Sequence, residues 1–202
     1  MNYLAIDTSG KNLTLVLSVN GEVVTYNDGE CGVNHSVELM PRIEALLEGV
    51  SVSLKEMDFI ACVVGAGSFT GIRIGVSTAK ALCFAYGKPC LAITSFDTLA
   101  YNEKQGKVLA IIDAKHNGFY VCGYEGGKVS LAPEYVMRER LLTLLEEYVG
   151  VCATAIDGVE VKIVSTCQGL INAIEEKQSE ISKDPEMLNP LYVRKSQAEE
   201  GR

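Results

Sequence analysis

Gly65-Ala66-Gly67-Ser68-Phe69-Thr70-Gly71-Ile72-Arg73-Ile74-Gly75 decides how this chain is read. It follows Phe59–Val64, a short and wholly apolar run of the kind that forms a buried parallel strand. It opens a helical stretch that runs to about Tyr86, where Gly87 and Pro89 stop it. Strand, glycine turn and helix together make an α/β unit. The segment is not a Walker A loop, because no Lys-Ser/Thr follows the glycines, and Thr70 at the third glycine position excludes the dinucleotide fingerprint. Two uses of the glycines stay open at this point. They can hold an anion at the helix start, or they can form a tight turn that lets helix and strand backbones approach closely.

Working outward, the spacing predicts strands at Tyr3–Asp7 and Leu13–Val19, then an Asn20-Gly21 hairpin turn and a strand at Glu22–Tyr26. Leu13, Leu15, Leu17 and Val19 share one face of the second strand. A helix is predicted over about His35–Leu47, with Leu39, Ile43, Leu46 and Leu47 at core spacing, a kink at Pro41 and Gly49 just past the end. Ser53-Leu54-Lys55-Glu56 resembles a capping box opening a short helical turn. Leu91–Thr94 reads as another buried strand, and Ser95 as the cap of a helix to about Glu103. The polar run Asn102–Lys107 is the best boundary. Beyond it come strands at Val108–Ile112, Gly118–Tyr124 and Lys128–Leu131, the last two joined by Gly126-Gly127. Helices are expected at about Arg138–Val149 and Leu170–Lys177, a strand at Val161–Ser165, and a polar tail from Ser182. Each half opens with an apolar strand ending in Asp, Asp7 and Asp113. That pattern suggests a duplicated α/β unit divided into residues 1–103 and 104–202.

Composition narrows the classes. The 202 residues are 48% hydrophobic and 22% charged with five Pro, a globular balance. A net charge of −8 argues against autonomous nucleic-acid binding, because phosphate neutralisation needs clustered Lys and Arg. No apolar run approaches the roughly 18–20 residues of a membrane span. Met1–Asp7 lacks the basic start and long apolar core of a signal peptide, so the expected location is cytoplasmic. The seven Cys (31, 62, 83, 90, 122, 152, 167) form no Cys-x-x-Cys pair and read as reduced core thiols.

The glycine segment resembles the hallmark of the TsaB (YeaZ) family, a subunit of the bacterial threonylcarbamoyladenosine machinery. Further matches are Leu4-Ala5-Ile6-Asp7-Thr8-Ser9, His35-Ser36 to Pro41 leading into Leu46-Leu47, Ile111-Ile112-Asp113-Ala114-Lys115 with Phe119-Tyr120, and Pro190-Leu191-Tyr192-Val193-Arg194. Together they span nearly the whole chain. Ala66 departs from the family, which usually has Pro there. The resemblance implies the ASKHA fold (actin, sugar kinase, Hsp70) as two subdomains, the second reduced. It implies a subunit without chemistry of its own that binds and activates a TsaD-type transferase. That partner moves a threonylcarbamoyl group from an adenylate to N6 of the adenosine beside the anticodon, in tRNAs reading codons that begin with A. A TsaE-type ATPase joins them, and ATP or ADP and metal belong to the partner subunits. Contact with tRNA is expected only through the complex, and a homodimer when the subunit is alone.

Several residues bear on this reading directly. The catalytic paralogue carries a metal-binding His-x-x-x-His on its first long helix, where i and i+4 face the same way. Here the stretch is His35-Ser36-Val37-Glu38-Leu39, with leucine in place of the second ligand, so His35 is assigned a structural or interface role. ASKHA nucleotide loops need Asp followed closely by Gly. Thr8-Ser9-Gly10 after Asp7 leaves the first loop ambiguous, and Ala114-Lys115-His116 leaves the second unsupported. Ser68, His35 and His116 lack the spacing of a hydrolase triad. No catalytic residue and no metal ligand is assigned.

The helix after the glycine turn points to contacts. At about 100° per residue, Arg73, Ser77 and Lys80 cluster within roughly 60°, and apolar residues or glycine cover about 220° of the remainder. Gly71, Gly75 and Ala79 lie four apart, a ridge that permits close helix contact. The expected partner surface is His35, Leu39 and Ile43 on the first helix with Gly67, Ser68, Phe69, Thr70, Gly71, Arg73, Gly75 and Ala79. The competing enzyme reading is an ASKHA-type phospho- or carbamoyl-transferase using Asp7 and the glycine turn. A stand-alone metabolite-binding module is a third.

Overall fold

The computed structural model describes residues 1–28, 34–103 and 105–194. The first sheet contains β1 (Tyr3–Asp7), β2 (Leu13–Val19), β3 (Glu22–Asp28), β4 (Phe59–Val63) and β5 (Cys90–Ile93), in the order β3-β2-β1-β4-β5. β1, β2 and β3 form an antiparallel meander, while β4 and β5 continue it in parallel. Asn20 and Gly21 take φ of 54° and 88°, the two positive values a type I′ turn requires. Helix α1 (His35–Gly49) precedes β4, and α2 (Phe69–Tyr86) links β4 to β5.

One core lies between these helices and the sheet. Leu4, Ile6, Leu13, Leu15, Leu17, Ile60 and Cys62 meet Leu39, Ile43 and Leu47 of α1, and Ile72, Val76, Ala79, Leu82 and Cys83 of α2. Helix α1 is continuous from His35 to Gly49, with Pro41 inside it. Pro41 withholds an amide from the carbonyl of Val37, and Val37 is 69% exposed, so water can serve that carbonyl. Gly49 is the last helical residue rather than the one beyond. Glu56 accepts hydrogen bonds from the Ser53 amide and hydroxyl, fixing the 3-10 turn Leu54–Glu56.

The second sheet is built from β6 (Lys107–Asp113), β7 (Gly118–Glu125), β8 (Lys128–Met137), β9 (Val149–Cys152) and β10 (Lys162–Ile163). Its order read from the other edge, β8-β7-β6-β9-β10, repeats that of the first sheet. The same pairs are antiparallel and the same pairs parallel. The duplication inferred from the two Asp-ending strands is therefore real, and the second copy is the reduced one. Its first helix, α4 (Arg138–Leu144), has 7 residues against 15 in α1. Where α2 links β4 to β5, the second copy has only a loop between β9 and β10. Two helices remain: α3 (Ser95–Ala100), following β5, and α5 (Thr166–Glu176), following β10.

Two expectations change. The helix expected over Arg138–Val149 ends at Leu144, and Val149 opens β9, whose Gly150 and Val151 pair with Leu109 and Ala110. The packing divides the chain after Thr94 rather than at 103/104, and Ile174–Leu191 returns to the first unit. That return follows from Leu188, which is fully buried in the first core although it stands in a polar tail. Ser182 pairs with Cys90 in the same segment. Of the seven Cys, 62, 83, 90, 122 and 152 are buried free thiols and Cys167 is half-buried, whereas Cys31 lies outside the described residues.

Candidate functional site

The glycine turn sits where β4 ends, against the loop that follows β1. Each glycine marks a place where no side chain fits. A Cβ on Gly71 would overlap the carbonyl oxygen of Thr8, and one on Gly67 the carbonyl oxygen of Ser9. A Cβ on Gly75 would overlap the hydroxyl of Thr8. A Cβ on Gly65 would lie 2.7 Å from the Leu191 carbonyl oxygen. The polar groups close the same contact: Ser68 N–H donates to Ser9 O (2.7 Å) and the Thr8 hydroxyl to Gly71 O (2.7 Å). Ser68 caps α2, its hydroxyl accepting from Gly71 N–H at 3.2 Å. Leu191 N–H donates to Val64 O at 2.7 Å, so the carboxy-terminal segment braces the turn from the other side. Of the two readings of these glycines, close backbone approach is the one the geometry supports.

Asp7 is buried at the end of β1. Its Oδ1 accepts from the Ser9 amide (2.8 Å) and hydroxyl (2.7 Å), the local turn that Asp favours. Burial raises its carboxyl above the ordinary carboxylate range, while the Ser9 hydrogen bonds and the charge of His35 pull the other way. His35 is 4% exposed, with Nε2 3.1 Å from Gly10 O. Leu39, one turn on, is in the core. A metal would find one imidazole and one carboxylate already engaged with Ser9, a donor set that does not fit a divalent ion. Among the described residues, no three His, Cys, Asp or Glu side chains are grouped to hold one. In the second copy Asp113 closes the same kind of turn: its Oδ1 accepts from Lys115 N–H (2.8 Å) and its Oδ2 pairs with Lys115 Nζ (2.7 Å).

The expected partner residues fall into two groups. Ser68, Thr70 and Arg73 are exposed, and Arg73 lies 3.8 Å above the ring of half-buried Phe69. Gly67 is exposed as well. In contrast, His35, Leu39, Ile43, Gly71, Gly75 and Ala79 are buried within the first unit. The Gly71-Gly75-Ala79 ridge is therefore a correction: it packs on Thr8 and the sheet and is out of reach of a partner. Not all of the roughly 220° that apolar residues and glycine span on α2 is buried. The buried positions, Gly71, Ile72, Gly75, Val76, Ala79, Leu82 and Cys83, cover about 140° at 100° per residue. What faces outward instead is Arg73, Ser77, Ala81, Phe84 and Ala85, with Ile74 half-buried at the edge. On α1 the outward side carries Val37, Met40, Pro41 and Ala45, with Glu44 and Glu48. Phe84 is 65% exposed. Sequence reasoning missed these residues because it placed the small-residue ridge outward. The wheel already set Val37 and Pro41 opposite Leu39 and Ile43.

A family model described as tRNA N6-adenosine threonylcarbamoyltransferase (TsaD) matches residues 29–157. The chain is similar to "tRNA threonylcarbamoyladenosine biosynthesis protein TsaB" of Bacillus subtilis (strain 168), 36% identical over 131 residues, which are 62% of this chain and 56% of that protein. The protein of the same name from Escherichia coli (strain K12) is 30% identical over 165 residues, 75% of this chain and 71% of that one. The chain thus spans little more than half the length of the first of these relatives. Among solved structures, YeaZ from Pseudomonas aeruginosa aligns with a TM-score of 0.74 at 22% identity, covering 95% of this chain and 99% of that one. That likeness and the duplicated sheet order give the fold as ASKHA-like. The chain belongs to the TsaD-type threonylcarbamoyltransferase family and, within it, to the TsaB (YeaZ) proteins of tRNA threonylcarbamoyladenosine biosynthesis.

Proposed function

We propose that this protein is a non-catalytic subunit that binds and activates a TsaD-type transferase in the threonylcarbamoylation of tRNA adenosine, N6 beside the anticodon. The partner supplies the catalytic groups, the metal and the nucleotide, and a TsaE-type ATPase completes the assembly. Transfer RNA meets this subunit only through the complex, and in isolation the same surface supports a homodimer.

One observation carries the reading: the outward sides of α1 and α2 leave Val37, Met40, Pro41, Ala81 and Phe84 exposed on neighbouring elements of one unit. Exposed apolar surface rimmed by charge marks an interaction site. The groups that an ASKHA enzyme would turn toward substrate are engaged within the chain, Asp7 by Ser9 and Asp113 by Lys115. The enzyme alternative is left without a second metal ligand.

Val37→Glu and Ala81→Arg change exposed positions, so both variants are expected to fold with the parent's melting temperature. Each should weaken capture of the transferase subunit at least tenfold and lower threonylcarbamoylation of tRNA in the reconstituted system in proportion. Lys128→Glu, exposed on the second unit, should leave both unchanged. If both helix variants fold, bind and activate like the parent, the partner surface lies elsewhere.

A further inference from the structure

The first sheet treats its two edges differently. At the β5 edge Cys90 N–H donates to Ser182 O (2.7 Å) and Ser182 N–H to Cys90 O (2.9 Å), so the carboxy-terminal segment closes it. At the β3 edge no main-chain partner is present among the described residues. The two-residue turn makes Val19 and Glu22 the hydrogen-bonded pair that closes the hairpin, and such pairs alternate along an antiparallel ladder. Glu22, Val24, Tyr26 and Asp28 therefore turn their amides and carbonyls toward β2. Val23, Thr25 and Asn27 turn theirs outward. Strand edges are commonly blunted by charged side chains, Pro, a bulge or a covering segment, and β3 carries charge only at its two ends, Glu22 and Asp28. β3 reads Glu-Val-Val-Thr-Tyr-Asn-Asp, in unbroken register with β2, with Val23 44% and Val24 38% exposed.

We infer that the β3 edge is a docking site for an extended peptide segment of a partner protein, one with β-branched residues at its centre and Lys or Arg at its ends. Main-chain bonds from Val23, Thr25 and Asn27 would carry the pairing, with Val23 and Val24 supplying apolar contact. The charge at the strand ends selects the occupant. Glu22, exposed, and Asp28, whose Oδ2 also accepts from the Tyr26 hydroxyl at 3.0 Å, sit at opposite ends of β3, so basic residues flanking an added strand meet negative charge at both ends. A second copy is the wrong occupant: antiparallel pairing of β3 with itself about Thr25 sets Glu22 directly against Asp28, and like charges so placed repel. The overall charge of −8 works in the same direction. This site is independent of the α1 and α2 surface.

The test uses the full chain and a fluorescently labelled synthetic heptapeptide, Lys-Val-Thr-Val-Thr-Val-Lys, read by anisotropy at low salt. Saturable binding is expected, with slowed hydrogen exchange at the amides of Val23, Thr25 and Asn27. Thr25→Pro removes an outward amide without touching the β2 ladder, as Pro on an edge strand does. It should weaken binding at least tenfold with the melting temperature little changed. The double variant Glu22→Lys, Asp28→Lys keeps the backbone edge and should reverse the preference toward a Glu-flanked heptapeptide. The inference is overturned if no saturable binding is seen, or if exchange slows elsewhere instead. Equal binding by a folded Thr25→Pro protein overturns it too. So does slow exchange at those amides in the free protein as it self-associates, because a second copy then occupies the edge.

Discussion

Replacing Gly75 by Ala tests whether the small-residue ridge of α2 is internal. The added Cβ would overlap the hydroxyl of Thr8, a residue with no exposed surface, while Cys62 Sγ stands at 3.7 Å. The hydroxyl can move only by giving up its 2.7 Å bond to Gly71 O. Overpacking a closed core costs about 1–3 kcal/mol, and losing a buried hydrogen bond about 1–3 kcal/mol more. Ala gains about 1 kcal/mol over Gly within a helix. The balance is a destabilisation near 3 kcal/mol, or roughly 6–12 °C of melting temperature for a chain of this size. Thr8→Ala removes the obstructing atom, so the double variant Thr8→Ala, Gly75→Ala should melt with Thr8→Ala alone. The resulting coupling energy is at least about 2 kcal/mol. Gly71→Ala is the control without rescue, because its Cβ would meet the Thr8 backbone carbonyl, which no side-chain change removes. The assay is thermal unfolding followed by circular dichroism. A Gly75→Ala protein melting within about 2 °C of the parent, with Thr8→Ala adding nothing, would refute the internal ridge and return it to the partner surface.

Asp7 gives a pH-dependent expectation. Its carboxyl is raised by burial, so between the unfolded and folded values the native state holds more proton than the unfolded one, and stability falls as pH rises through that window. Asp7→Asn keeps an oxygen to accept from Ser9 and removes the charge. Its melting temperature should exceed the parent's at neutral pH, the gap closing toward acid; parallel curves would contradict the buried-charge reading. Cys62 and Cys83 are held well above the ordinary thiol range, Cys83 up to about 12, burial being the main cause for both. Native protein at pH 8 should leave these two thiols and Cys90 unlabelled by a thiol reagent over minutes and expose them on denaturation. Prompt labelling of Cys83 in the native state would show that α2 opens.

Most of the first sheet was legible because its signals are local. Asn20-Gly21 fixes a turn, Gly87 a helix end, and an apolar run such as Phe59–Val63 can only be buried. The second sheet was harder to read. Val149–Cys152 follows a helix with no breaker between them, and a four-residue apolar strand is indistinguishable from one more helical turn until Leu109 and Ala110 supply a partner. The return of Leu188 to the first core was equally hidden. A leucine in a polar tail becomes informative only when a groove exists to receive it.

The glycine ridge shows where sequence runs out on function. Gly71, Gly75 and Ala79 announce that a backbone or side chain approaches α2 closely, and that much was correct. Spacing does not say whose backbone it is. The approaching atoms are those of Thr8, supplied by the loop after β1 in the same unit. Once the ridge is assigned inward, the helix is committed to an orientation: positions opposite Gly75 and Ala79 must face away from the sheet, and these include Arg73, Ser77 and Phe84. The same argument applied to α1, where His35, Leu39, Ile43 and Leu47 face inward, turns Val37 and Pro41 out. The surface offered to a partner is thus fixed by the internal contact rather than by the ridge itself. A misorientation of α2 would have sent its interface substitutions into the core, where loss of binding and loss of folding are the same result.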